Sequence, residues 1–183
     1  MKHVFAVFCI LSSLLCSAST YNLQLSDYSV ETLIGSKSKE AGKEAILVGE
    51  ILRHAARELA QNKAHYSETD ADEYFFRSLW GEIVAAIKNA ARVIWDFLKE
   101  LANNVKEAIK EVALAVVENA GDVLRKKATE KALEIVAKMF QNSAATYSTE
   151  KYHNKAHTVK EICARMDLVG RRLIEEGKKI LAQ

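Results

Sequence analysis

The sequence contains no proline among its 183 residues. A proline inside a helix removes a hydrogen-bond donor and collides with the preceding turn, so its absence permits long uninterrupted helices. Alternating strand patterns are also lacking, apart from a loose alternation over residues 21–30. The composition therefore predicts an all-α fold.

Cysteine is scarce, with three in the chain. Cys9 and Cys16 lie within residues 1–18, where a basic start precedes an uncharged apolar run that ends in small residues. This arrangement predicts a cleaved secretory signal peptide, and hence a secreted, extracellular protein. Cys163 would then be the one cysteine left, so stability has to come from packing or association rather than from an intrachain disulfide.

An excess of charge of either sign is missing as well. The chain carries 26 basic and 24 acidic residues, and loss of Lys2 with the signal peptide would leave 25 basic residues against the same 24 acidic ones. Surfaces that bind nucleic acid need a concentrated positive field. We therefore do not expect nucleic acid to be a partner.

Enzyme motifs are absent from the sequence. It has no glycine-rich phosphate loop, no nucleophile elbow, no paired carboxylates in a recognisable context and no cysteine–histidine set in a suitable frame. We expect no enzymatic activity and no cofactor. We also recognise no family motif.

The longest amphipathic pattern covers residues 73–118, and we predict that this stretch organises the rest of the fold. Apolar residues recur there every three or four positions, which is the spacing that lines one side of an α-helix. This first row comprises Trp80, Val84, Ile87, Ala91, Ile94, Leu98, Leu101 and Val105. Trp95 follows Trp80 by fifteen residues, close to four turns, so both indoles are expected near the same side.

A second row of apolar residues widens this face. It comprises Leu79, Ile83, Ala86, Ala90, Val93 and Phe97. A face this broad needs two or more neighbouring helices to cover it, or a lipid surface.

The chain is expected to have three parts: a signal peptide over residues 1–18, a poorly ordered lead-in over 19–37, and a single helical domain over 38–183. The domain is predicted to be an elongated antiparallel bundle of about four to five amphipathic helices. The predicted helices cover residues 41–62, 73–118, 123–141 and 149–181. Ser38 is the expected N-cap of the first helix, and we prefer a bend near Asn103 in the second, although an unbroken helix is the alternative.

Glycines and a polar stretch mark expected weak points. Gly42 and Gly49 either weaken the first helix or allow a close contact with another helix. Gly170 and Gly177 are expected to thin the last helix or to end it early. Residues 142–148 are polar and are expected to form a loop.

Two functions fit these patterns. In the first, the protein binds lipid or a membrane surface through the amphipathic stretch, with six residues as its binding face: Trp80, Val84, Ile87, Ile94, Trp95 and Leu98. In the second, it is a secreted protein-interaction module, an effector or a structural protein, that self-associates through the same face. The simplest structural interpretation is that the face is only the core of the bundle.

Two smaller features complete the candidate sites. His153 and His157 are four residues apart, a spacing that can hold Zn²⁺ or Cu²⁺ on a helix, but two histidines alone make an incomplete site, and we expect no metal. Cys163 lies one turn before Met166 on an apolar face and is expected to be a small buried side chain. A disulfide-linked homodimer through Cys163 is the alternative.

Overall fold

A computed structural model describes residues 38–61, 71–104, 121–147 and 155–183, all within one compact unit, Ile34–Gln183. These residues form four helices: α1, Lys39–Gln61; α2, Asp72–Asn104; α3, Gly121–Tyr147; and α4, Lys155–Leu181. The expected all-α bundle is confirmed. The predicted signal peptide and the lead-in lie outside the described residues. Helix α2 includes Asn103 and Asn104, and residues 105–120, which would show whether the chain bends near Asn103, also lie outside the described residues.

Local chemistry accounts for the start of α1. The Ser38 hydroxyl accepts a hydrogen bond from the Ala41 backbone N–H at 3.1 Å, so Ser38 is the N-cap, as predicted. Apolar residues spaced three or four positions apart in α1 and α3 are buried. In α1 the buried positions include Ala45, Val48, Ile51, Leu52, Ala55 and Leu59, and in α3 they include Ala128, Ala132, Ile135, Val136 and Met139.

The helix at the centre of the described bundle is α1, which packs against α2, α3 and α4. The prediction that the stretch beginning in α2 organises the fold is therefore wrong for this part of the chain. The most extensive helix–helix contact joins α1 to α4. Small residues in these two helices explain why, since they let the backbones approach more closely than leucine or phenylalanine would.

Four glycines form this close contact, which we term the glycine seam: Gly42 and Gly49 of α1, and Gly170 and Gly177 of α4. A Cβ atom built on Gly49 would lie 2.6 Å from the carbonyl oxygen of Gly170, and one built on Gly170 would lie 2.7 Å from the carbonyl oxygen of Gly49. Gly42 and Gly177 face each other in the same way, at 3.1 and 2.6 Å. Gly42 pairs with Gly177 and Gly49 pairs with Gly170, so residue numbers increase along α1 as they decrease along α4. The two helices are therefore antiparallel.

The glycine seam overturns the expectation that Gly170 and Gly177 thin or end the last helix. Helix α4 continues to Leu181, and both glycines are buried against α1. Their missing side chains leave room for neighbours: the Cγ1 atom of Ile46 occupies the space beside Gly177, and the Arg53 stem occupies the space beside Gly170. A lower intrinsic helix propensity is thus offset by packing.

Helix α3 is longer than predicted, because residues 142–147, expected to form a loop, continue the helix to Tyr147. Ser143 lies one turn after Met139 on the inward face and is 4% exposed. Two alanines follow, and alanine has the highest helix propensity of any residue. Burial and propensity together outweigh the tendency of Asn142 and Ser143 to favour turns.

Polar side chains also tie α1 to each neighbour. Its Arg53 Nε donates to Asp167 Oδ1 of α4 at 3.2 Å. Asn89 Nδ2 of α2 donates to Glu58 Oε2 at 2.9 Å. Lys127 of α3 forms an ion pair with Glu44 at 3.5 Å.

Candidate functional site

The six residues predicted to contact lipid or a partner all lie on α2: Trp80, Val84, Ile87, Ile94, Trp95 and Leu98. Ile87, Trp95 and Leu98 are buried, with exposures of 0%, 2% and 5%. Trp80, Val84 and Ile94 are half-buried. In this conformation these six side chains are therefore covered mainly by the bundle, and any ligand has to compete with the neighbouring helices for them.

An aromatic cluster of Phe76, Trp80 and Phe140 joins α2 to α3. The Phe140 ring lies 5.7 Å from Phe76 at 84° and 5.3 Å from Trp80 at 50°, measured between centroids. These are favourable edge-on and tilted arrangements. The cluster explains how Trp80 is positioned: its ring packs against Phe140 of α3, and the side chain stays half-buried.

The second row changes environment along the helix. Its first four residues are buried: Leu79, Ile83, Ala86 and Ala90. Its last two are not, because Val93 is 39% exposed and Phe97 is 55% exposed. One continuous apolar row therefore begins inside the bundle and ends in contact with solvent. Spacing predicts this row, but it does not predict where the cover stops.

Basic side chains follow the same end of α2. Lys88, Arg92 and Lys99 are exposed and recur at spacings of four and seven, which places them on one side of the helix. Arg92 Nη2 donates to Asn89 Oδ1 at 2.8 Å. Lys99 Nζ lies 5.9 Å from the Trp95 ring centroid, within range of a cation–π contact. This end of α2 therefore combines exposed apolar side chains with cations, and two exposed acidic residues, Asp96 and Glu100, lie among them.

Trp95 is buried in an incompletely satisfied environment. Within the described part of the protein its Nε1–H group has no hydrogen-bond partner, and the same holds for the Ser143 hydroxyl and His54 Nδ1. A buried donor without a partner costs about 1–3 kcal/mol relative to one that is hydrogen-bonded. The polar edge of Trp95 would gain a partner if it reached water or a lipid headgroup, so the closed bundle does not satisfy this indole fully.

The histidine pair is only half described. His153 lies outside the described residues, and His157 is exposed in the first turn of α4. Within the four described ranges, no group of three or more histidine, cysteine, aspartate or glutamate side chains is placed to hold a metal ion.

Cys163 is buried in α4, as expected, with 7% of its surface exposed. Burial raises the pKa of its thiol to about 11, because the low-polarity surroundings disfavour the thiolate. The register of the glycine seam also brings Ala56 of α1 to the level of Cys163, and both small side chains are buried. A disulfide to a second copy stays a prediction, and it would require this region to open.

None of the helices in the described part of the chain is long and apolar enough to cross a membrane. Comparison of the chain with models of protein families, with characterised proteins and with solved structures finds no match.

Proposed function

We propose that the chain is a secreted, non-enzymatic helical protein that binds lipid or a membrane surface through the apolar face of α2. The observation that carries the proposal is the second row, which passes from burial at Leu79 to exposure at Val93 and Phe97. Val93 and Phe97 belong to the same row as the buried core residues and are already exposed. Lipid can therefore contact this row first at these two side chains, before it replaces contacts within the bundle.

The amphipathic character of α2 supports this proposal. Helices that lie in a membrane interface combine an apolar face with basic residues on the polar side, which interact with anionic headgroups. At the exposed end of α2, Lys88, Arg92 and Lys99 supply the basic residues, and Phe97 supplies an aromatic side chain. Their attraction to anionic lipid should weaken with salt, because the charges are exposed and screened.

Phe97 alone gives a measurable part of the free energy of lipid binding. Complete burial of a phenylalanine contributes roughly 1.5–3 kcal/mol. Because Phe97 is 55% exposed, moving its free half into lipid should contribute about 1 kcal/mol, or roughly a five-fold change in partition. The half-buried residues of the first row would add to this only if α2 separates from its neighbours.

Vesicle flotation tests the proposal. The full chain is expressed in a secreting host, and mass spectrometry establishes whether residues 1–18 have been removed, because that apolar run would itself bind lipid. The secreted protein is mixed with phosphatidylcholine vesicles, with or without phosphatidylserine, and centrifuged in a density gradient. We expect it to float with the vesicles, more with phosphatidylserine than without, and a protein that stays at the bottom with both would overturn the proposal.

A matched pair of variants identifies the contact face. Phe97→Ser should lower the floating fraction by roughly five-fold in partition. Val123→Ser is the control, because Val123 is also an exposed apolar residue, at 66% against 55% for Phe97, but belongs to α3. Equal losses in both variants would show that exposed apolar area in general, rather than α2, drives the interaction.

The same exposed end of α2 favours the second candidate, a secreted protein-interaction module that self-associates. A second copy covering Val93 and Phe97 would remove the same apolar area from water. Light scattering separates the two functions. Self-association predicts a mass that rises with protein concentration and falls in Phe97→Ser, together with absence from the floating fraction.

A further inference from the structure

The glycine seam and the contacts of α2 depend on different forces, and the difference matters if the protein binds lipid. In the seam, the carbonyl oxygen of Gly170 meets the backbone of Gly49, and the carbonyl oxygen of Gly42 meets that of Gly177. Side chains such as Ile174 and Ile46 flank these points, but at each of the four glycines a backbone carbonyl oxygen of the other helix lies within 2.6–3.1 Å of the built Cβ atom. The contact therefore includes a direct approach of backbone to backbone.

Backbone contacts of this kind persist in an apolar solvent. Lipid tails are as apolar as leucine, so packing between large apolar side chains loses its hydrophobic driving force there, whereas close packing through small residues does not depend on water. Facing glycine Cα–H groups and carbonyl oxygens can also form weak hydrogen bonds. The α1–α4 pair thus has a contact that lipid cannot replace.

Facing glycines are not found between α1 and α2 in the described residues, because Gly81, the glycine of α2, meets nothing within 4 Å. The side chains that α2 buries in the bundle are mostly large and apolar, and they include Leu79, Ile83 and Ile87. Lipid tails can substitute for such contacts. The described hydrogen bond between these two helices, from Asn89 to Glu58, joins side chains at the edge of the interface.

We propose that the bundle has a permanent part and a releasable part: α1 and α4 stay together through the glycine seam, while α2 leaves α1 to place its apolar face on lipid. This proposal rests on the lipid-binding function above and states which interface opens. Release is proposed to begin at Val93 and Phe97, because these are the two residues of the second row that the bundle leaves exposed.

Reversible cross-links between hydrogen-bonded side-chain pairs test the proposal. In a Cys163→Ala background, Glu58→Cys with Asn89→Cys links α1 to α2, because the native side chains meet at 2.9 Å. Arg53→Cys with Asp167→Cys is the matched control that links α1 to α4, where the native side chains meet at 3.2 Å. A short bis-methanethiosulfonate reagent closes each pair, and dithiothreitol reopens it.

Each linked protein is floated on vesicles of phosphatidylcholine and phosphatidylserine, before and after reduction. We expect the α1–α2 link to lower flotation to the level that the exposed Val93 and Phe97 alone support, until dithiothreitol restores it, and the α1–α4 link to leave flotation unchanged. Undiminished flotation with the α1–α2 link closed would overturn the inference and leave the lipid-binding function standing. Loss of flotation with the α1–α4 link closed would also overturn it, because the pair would then have to open. Failure of both unlinked proteins to float would overturn the proposed function and the inference with it.

Discussion

Replacing Gly49 by alanine probes the glycine seam with a single methyl group. In an ordinary helix this change is stabilising, because alanine has the higher helix propensity by roughly 1 kcal/mol. At position 49, however, the new Cβ atom would lie 2.6 Å from the Gly170 carbonyl oxygen and 2.7 Å from Ile174 Cγ1. The Gly170 oxygen is a backbone atom and cannot rotate away.

The size of the effect follows from these distances. Ordinary contacts of a Cβ atom begin at 3.4 Å, so α1 and α4 have to separate by several tenths of an ångström at Gly49. Overpacking of a well-packed interior by one methylene costs about 1–3 kcal/mol, which outweighs the gain in propensity. We expect a net loss of up to about 2 kcal/mol in the free energy of unfolding, or a melting temperature lower by up to roughly 8 °C.

The control is Gly81→Ala on α2. Gly81 is exposed and helical, and a Cβ atom built on it meets nothing within 4 Å. This variant should gain roughly 0.5–1 kcal/mol. Thermal unfolding followed by circular dichroism at the helix band measures both. Opposite signs are the expected result, and a Gly49→Ala protein as stable as Gly81→Ala would refute the close contact.

Three further predictions concern α1 and α4. Ser38→Ala should lower the free energy of unfolding by about 1 kcal/mol by removing the N-cap hydrogen bond to Ala41, whereas Ser38→Asp should stay near the unsubstituted protein in urea unfolding. Burial raises the pKa of the Cys163 thiol from 9.0 to about 11, so between these values the folded thiol keeps its proton while the unfolded one releases it. The free energy of unfolding should therefore decrease as pH rises from 9 to about 11, and it should decrease less in Cys163→Ala. Arg53→Ala should lose less than about 1 kcal/mol of stability from its ion pair with Asp167, because both side chains are partly exposed. A double-substitution cycle with Asp167→Ala measures this coupling, and a much larger value would contradict the prediction.

Local patterns predicted much of the helical structure. The absence of proline and the three-to-four spacing depend only on neighbouring residues, so the helices and inward positions such as Leu52 and Ile135 could be predicted from sequence. The Ser38 cap is equally local. The helical conformation of residues 142–147 could not be predicted from local patterns. Burial of Ser143 on the inner face outweighs its preference for turns only once α3 packs against other helices.

Which helices pair was not predicted, because pairing depends on contacts distant in sequence. Gly42 and Gly49 are seven residues apart, and so are Gly170 and Gly177. That repeat was a usable signal for two helices in close antiparallel contact, but helix propensity alone treats each glycine as a local defect. Similarly, periodicity gave no reason to expect a buried Lys155 whose Nζ lies 5.7 Å from the Phe75 ring centroid.

The sequence predicted which residues of the candidate site share one side of α2, but not which of them are buried. Spacing placed Leu79 and Phe97 on the same row, and the structure agrees. The bundle buries Leu79 to 1% exposure and leaves Phe97 at 55%. The burial of each residue along α2 depends on which other helices pack against it, and the sequence of α2 alone does not show this.

Quenching of Trp95 by brominated lipid tests most directly whether α2 exchanges the bundle for lipid. The Trp80→Phe variant leaves Trp95 as the fluorophore, and its side chain is 2% exposed in the closed bundle, so bromine on acyl chains reaches it only if α2 moves. We predict strong quenching by vesicles of brominated phosphatidylcholine and phosphatidylserine, and none by the same lipids without bromine. A protein that floats with the brominated vesicles while its Trp95 emission stays unquenched would contradict the account.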